Sequence, residues 1–304
     1  MASAEGKKDK FRFVAPVETR IPIVEGAVKH TPETLIKKNT RTDGRTPDQF
    51  RPMCLFFYPP LLFSIFAHSS LLLRFFFFGN IKVLKTGVIT QASGSAYIEL
   101  NNTKVIVGVY GPRQTPKTTY SEQGKLNCDF KYTTFAFEGE KRKYMPDKEE
   151  KEFSMLMQQA LEVSLILDTF PKAEVDVFAL VLQADGSALS AAITAASLAL
   201  ADAGIEMYDL VPACSIASVG SIIVLDPSSV EEKHQRSSLT LAYMPSQEQV
   251  TQMLQKGELS SSQTLEALEL CIDGCTKIYS MMKQNLVEST NSKLKQENNS
   301  ISTS

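Results

Sequence analysis

FPKAEVDVFALVLQADGSALSAAITAASLALADAG (170–204) is the stretch that fixes the fold class. Its first part, EVDVFALVLQ (174–183), is β-rich and apolar enough to be a buried strand. Its second part, ADGSALSAAITAASLALADAG (184–204), is predicted as a small-residue helix that Gly204 terminates. The many Ala and Ser residues predict a helix backbone packed tightly against a sheet. The turn between the two, QADGSALS (183–190), places the free N–H groups of a helix start after a buried strand. That arrangement suits a phosphate group.

Similar signals continue on both sides. SAYIEL and TKVIVGVYG flank Asn101-Asn102 (95–111), a hairpin signal, because Asn tolerates positive φ. LNCDFKYTTFAF (126–137) alternates well enough for a further strand. EEKEFSMLMQQALEVSLIL (149–167) has helical spacing, with acids at its start that suit the helix dipole. CSIASVGSIIVLD (214–226) and SLTLAYM (238–244) add strands. Leu265, Leu268, Cys271, Ile272, Cys275, Ile278, Tyr279 and Met282 keep the three-to-four spacing of an amphipathic closing helix. The order strands, helix, strand, helix, strands, helix is α+β.

The 304 residues are 43% hydrophobic and 22% charged, ordinary globular composition. The net charge of −2 excludes a generally cationic nucleic-acid-coating protein while allowing a local basic patch. His30, His68 and His234 are too few and too scattered for a multi-histidine metal centre or a Ser-His-Asp triad. Five scattered cysteines without a CxxC pair read as reduced, packed, intracellular thiols. Cys271 and Cys275 share a helix face with no histidine nearby, so core packing is expected there and no metal. The first ten residues lack the apolar core of a signal peptide. Residues 1–40 read as a flexible arm and 288–304 as a disordered tail, with a folded domain over 41–287.

Residues 55–78, LFFYPPLLFSIFAHSSLLLRFFFF, hold eight of the seventeen phenylalanines. One reading is a transmembrane anchor, since a membrane helix needs about 20 residues. Against it stand the helix-breaking Pro59-Pro60 and the charge-bearing His68 and Arg74. A buried core helix fares no better, because the run has no polar face. A third reading is translated non-coding sequence, such as a retained intron or a faulty gene model, because pyrimidine-rich codons encode Phe, Leu, Ser and Pro.

RTDGRTPDQFRP (41–52), ASGSAYIELNNTKVIVGVYGPR (92–113), FPKAEVDVFALVLQADGS (170–187), AASLALADAGI (195–205) and MPSQEQVTQML (244–254) together resemble the RNase PH family. More narrowly they resemble the RNase PH-like ring subunits of the RNA exosome. LELCIDGCTKIYSMMKQNLV (268–287) resembles the mRNA-transport-regulator type among them. The resemblance implies the fold shared with the second domain of ribosomal protein S5, mixed sheets packed with helices. MPSQEQVTQML is read as leading into the closing helix. Deleting 55–83 gives RPMC-LKTGVITQASGS, which restores the family's spacing between RP and GS. The 41–287 domain is therefore read as interrupted by a foreign segment over 55–83.

The resemblance also bears on chemistry. Active members hold inorganic phosphate at the strand-to-helix turn with a Ser or Thr followed by an Arg. The matching positions here are Ala188 and Leu189, between Ser187 and Ser190. A charge-assisted, bidentate Arg–phosphate contact is thereby missing. The family's pair of acids, six residues apart, falls on Glu232 and Ser238, so one carboxylate is replaced by a hydroxyl. The expectation is a catalytically silent subunit without cofactor. The alternatives are a working phosphorolytic 3′→5′ exoribonuclease that releases nucleoside diphosphates, and a membrane-anchored protein.

Lys141, Arg142 and Lys143 fall where relatives contact RNA, although the acids that follow, from Asp147 to Glu152, also fit a solvated charge run. Arg113 serves either RNA or a subunit interface on this reading. The implied partners are paralogous RNase PH-like ring subunits, an S1-domain cap subunit and RNA, with no membrane. The implied functions are rRNA processing and mRNA turnover in nucleus, nucleolus and cytoplasm.

Overall fold

The computed structural model describes residues 36–37, 40–41, 45–50, 84–114, 122–139, 147–220 and 222–302, with side chains from Arg41 to Lys295. Two short strands, β1 (Ile36–Lys37) and β2 (Thr40–Arg41), pair antiparallel at the end of the predicted arm. Arg41 then ties this segment to a distant part of the chain, as described below.

The first sheet is built from β3 (Leu84–Thr86), β4 (Gly94–Leu100), β5 (Thr103–Gln114), β6 (Lys125–Tyr132) and β7 (Ala173–Gln183). Its order is β3-β4-β5-β7-β6, antiparallel except for the parallel pair β6–β7. The Asn-Asn hairpin forms as expected: Leu100 pairs with Thr103, and Asn101 has φ +58°. Val105, Val107 and Val109 of β5 and Val175, Val177 and Val181 of β7 alternate into the core. The expected strand over 126–137 ends at Tyr132. There Thr133 turns the chain back, its carbonyl accepting from the Ala136 N–H at 3.1 Å.

Helix α1 (Lys148–Glu162) starts in a capping box, in which Asp147 and Glu150 exchange side-chain and backbone hydrogen bonds. It packs on β6, where the Phe130 N–H donates to Ser154 Oγ at 2.9 Å. Helix α2 (Ala188–Asp202) follows β7, and Gly204 lies just past its end at φ +72°, as the sequence predicts. Residues 188–200 are all buried, because α2 lies between the first sheet and the second. Small side chains make this possible. A Cβ on Gly94 of β4 would sit 2.3 Å from the Ala199 carbonyl oxygen, so strand and helix are in direct backbone contact.

The second sheet has the order β11-β10-β8-β9, all antiparallel. Its members are β8 (Ala213–Val219), β9 (Ile222–Leu225), β10 (Ser237–Met244) and β11 (Gln249–Gly257). The short helix α3 (Ser229–Lys233) lies between β9 and β10. The run 214–226 is thus a hairpin, broken at Gly220 (φ +66°). Residues 244–254 do not lead into a helix: they turn and return as β11, an edge strand exposed along most of its length.

Helix α4 (Ser261–Ser302) closes the chain against β8, β9, β10 and β3. Cys271 and Cys275 pack with Cys214, Ile216, Leu239 and Leu241 in an apolar cluster, and burial pushes the Cys214 and Cys275 thiols up. The helix does not stop at Val287, and the tail expected to be disordered is helical to Ser302. Contacts with the body of the protein hold it there. Asn285 Nδ2 donates to the Leu84 carbonyl at 2.7 Å, Thr86 Oγ1 to Ser289 Oγ at 2.8 Å, and Lys293 Nζ to Asp202 Oδ1 at 2.7 Å. Among the described residues no helix is long and apolar enough to cross a membrane, and the apolar run 55–78 lies outside them.

Candidate functional site

The turn between β7 and α2 is held from three sides. The Asp185 N–H donates to Thr103 Oγ1 at 3.1 Å, and that hydroxyl donates to the Gly186 carbonyl at 2.9 Å. Gly186 has φ +86°, and a Cβ there would meet the Pro227 carbonyl oxygen at 2.3 Å, so only glycine fits. Ser187 also takes the left-handed conformation (φ +55°), which brings its N–H to the mouth of the helix. Its hydroxyl donates to the Pro227 carbonyl at 3.2 Å and accepts from Ser215 Oγ at 2.7 Å. Ser190 Oγ donates to the Ser187 carbonyl at 2.9 Å. Both serine hydroxyls are therefore bound within the fold.

Facing this turn is α3, which begins in its own capping box between Ser228 and Glu231. Glu231 is fully buried and pairs with Arg41 through two guanidinium nitrogens, one of them Nε at 2.8 Å. Its carboxylate also accepts from the Ser228 N–H at 2.8 Å and from its hydroxyl at 2.9 Å. Burial opposes ionisation of this carboxyl, but Arg41 and Ser228 outweigh it and hold Glu231 below the usual carboxylate range. Arg41 spends its other donors on the Leu225 and Asp226 carbonyls, at 2.7 and 3.0 Å. This buried knot fixes α3 and aims the next residue, Glu232, at the turn. Glu232 Oε1 accepts from the Ser187 N–H at 2.7 Å.

Between these elements lies a cavity of about 300 Å³. Ser187, Ala188, Leu189, Ser190, Glu232 and Ser238 all line it, so the two halves of the site expected from sequence meet in one place. Tyr132, Phe137 and Phe153 add aromatic walls. Among the described residues the only lining cation is Lys256, opposite Ser238 on the neighbouring strand. Lys256 is engaged, with Nζ 3.1 Å from Glu152 and 5.5 Å above the Phe153 ring centre. Sequence reading misses Lys256, because the exposed edge strand that carries it has no apolar alternation to mark it as a strand.

Arg113 is not part of this cavity. It pairs with Asp176, which also accepts from Asn127 Nδ2 at 2.9 Å. Arg113 lies opposite Glu174, ten residues along β7 from the cavity-lining Ala184, a separation of about 30 Å. Lys141, Arg142 and Lys143 lie outside the described residues. No group of three or more His, Cys, Asp or Glu among the described residues is placed to hold a metal ion.

Comparison with known proteins agrees with this architecture. The description "3′ exoribonuclease family, domain 1" matches residues 82–206, and "domain 2" of the same family matches 209–274. The Exosome complex component RRP41-like of Arabidopsis thaliana is 44% identical over 208 residues, covering 68% of this chain and 80% of that protein. The human Exosome complex component MTR3 is 40% identical over 221 residues, covering 67% and 80%. Among solved structures, rice Rrp46 superposes with a TM-score of 0.64 at 23% identity, over 81% of this chain and all of that one. The Archaeoglobus fulgidus exosome with RNA bound to the active site gives 0.62 at 22% identity, covering 80% of this chain and 92% of that one. The break between the two matched family domains, after residue 206, falls where the chain leaves α2 for the second sheet, and on that agreement of sequence and fold the chain belongs to the RNase PH family of 3′ exoribonucleases.

Proposed function

We propose that this chain is a non-catalytic structural subunit of an RNA exosome ring, of the mRNA-transport-regulator type. In this role it shapes the channel through which RNA is threaded for 3′→5′ processing and degradation, including rRNA processing and mRNA turnover. Its neighbours are RNase PH-like paralogues and an S1-domain cap subunit, and its compartments are nucleus, nucleolus and cytoplasm. The observation that carries the reading is the helix start at the cavity, where Ala188 and Leu189 stand and the one lining cation among the described residues, Lys256, is paired with Glu152. Phosphoryl-group chemistry depends on positioned charge, and an alanine and a leucine supply none. The likeness to human and mouse MTR3, 40% and 38% identical, supports the subunit type.

A catalytic reading draws on the likeness to proteins named Rrp41, such as that of Cenarchaeum symbiosum at 40% identity. Ala188, Leu189 and Ser238 weigh against it. Assembly tests the structural role. Expressed alone, the chain without residues 55–83 is expected to aggregate or self-associate, and to become well dispersed when a paralogous RNase PH-like subunit is coexpressed, as large apolar obligate interfaces require. A stable, well-dispersed monomer by light scattering would contradict the ring role.

A further inference from the structure

We propose that Glu232 is a resident anion, an intramolecular carboxylate that occupies the N-terminal end of α2 and keeps free oxyanions such as orthophosphate out of the cavity. The inference rests on the non-catalytic reading and explains how the site is held in that state. Helix α2 has no acid in its first turn, and its N-cap Ser187 makes no side-chain cap. A helix that begins this way leaves a partial positive charge and unsatisfied N–H groups at its start. The partner for the Ser187 N–H comes instead from 45 residues further along the chain, the Glu232 carboxylate at 2.7 Å. A hydrogen bond to an ionised acceptor is about twice as strong as a neutral one.

The carboxylate is mounted rigidly. Its neighbour Glu231 is fixed by Arg41 and Ser228, and the first N–H of α3, on Ser229, donates to Asp185 Oδ1 at 3.3 Å. Asp185 belongs to the β7–α2 turn itself, so the helix bearing Glu232 is fastened to the helix it caps. An incoming phosphate would have to displace this carboxylate or sit beside it. Either course is opposed by like charge, and the cavity's Lys256 is committed to Glu152. As a remnant of an acid pair, Glu232 would be indifferent to phosphate. As a resident anion, it excludes it.

The test is titration of inorganic phosphate into the protein lacking 55–83 and coexpressed with its ring paralogue, followed by calorimetry and ³¹P line width, the paralogue being the same in every variant compared. Wild-type protein is expected to show no saturable binding below about 10 mM. Glu232→Ala should bind phosphate at least about tenfold more tightly, a gain of about 1.4 kcal/mol. Glu232→Gln, which keeps an acceptor for the Ser187 N–H and loses the charge, should fall between the two, and it carries the test if the alanine variant does not fold. Glu266→Gln, which neutralises an exposed carboxylate on α4 outside the cavity, should behave as wild type. Saturable binding by wild type as tight as that of Glu232→Ala overturns the proposal, as does a folded Glu232→Ala and Glu232→Gln pair with no gain. Neither failure touches the non-catalytic reading, which falls only if the wild-type chain degrades RNA with phosphate.

Discussion

Arg41→Met is expected to destabilise the protein by about 3–5 kcal/mol, because it strands the fully buried Glu231 carboxylate without its partner. For a chain of this size that lowers the melting temperature by roughly 10 °C. The same change leaves the Leu225 and Asp226 carbonyls without the donors that Arg41 supplies. The double variant Arg41→Met/Glu231→Leu should recover much of the loss, since removing both charges removes the desolvation penalty with them. The pH dependence has a definite sign. In the wild type the Glu231 carboxyl is held below its ordinary value of 4.5, so its stabilising effect is complete above that pH. It is lost as pH falls through the lower folded value. In Arg41→Met only the two Ser228 hydrogen bonds still oppose burial, so the carboxyl rises and acid unfolding should begin at a higher pH. Thermal melts of the three proteins between neutral and acid pH measure all of this. A melting temperature unchanged in Arg41→Met would show that the knot does not anchor α3.

Deleting residues 55–83 is expected to leave the fold intact and to convert an aggregating chain into a dispersed one. The flanks of the segment already converge. Phe50 lines the same small cavity as Ile98, and Leu84 is the cross-strand partner of Ile98. After deletion four residues remain between Phe50 and Leu84, a reach of about 17 Å. Shortening the connection about eightfold should stabilise by only about 2 kcal/mol through loop entropy. The larger effect is on solubility, because eight phenylalanines leave the sequence with the segment. Size-exclusion chromatography of the two forms, coexpressed with a ring paralogue, decides between outcomes. A full-length form that assembles as well as the deleted one would show that the segment is compatible with the ring.

The strand-turn-helix over 170–204 was legible in the sequence because its two periodicities are strong and its punctuation is unambiguous. Strand β11 was not, because an edge strand exposed along most of its length has no apolar alternation to reveal it. The helical tail was illegible for a related reason: its polar Ser289 and Lys293 are held by Thr86 and Asp202, contacts that composition does not encode. The site residues were found by resemblance, and their convergence on one cavity follows from the β7–α2 turn meeting α3 and β10. The task of Glu232 was invisible, since its partner is Ser187 and its mount is Arg41, 190 residues from Glu231.

This chain is expected to carry out no phosphorolysis of its own. Loss of a buried charged contact costs on the order of 2–5 kcal/mol. At about tenfold per 1.36 kcal/mol, Leu189 alone should slow the reaction by roughly 30-fold to several thousandfold. Ser238 removes a second contribution, although parts of one site do not add independently. The measurement is made on purified protein lacking 55–83, alone and assembled with its ring paralogue, given single-stranded RNA, magnesium and inorganic phosphate. No phosphate-dependent release of nucleoside diphosphates is expected from the protein alone, and any release from the assembly should be unchanged by Glu232→Ala. Phosphate-dependent release that disappears in Glu232→Ala would contradict this expectation.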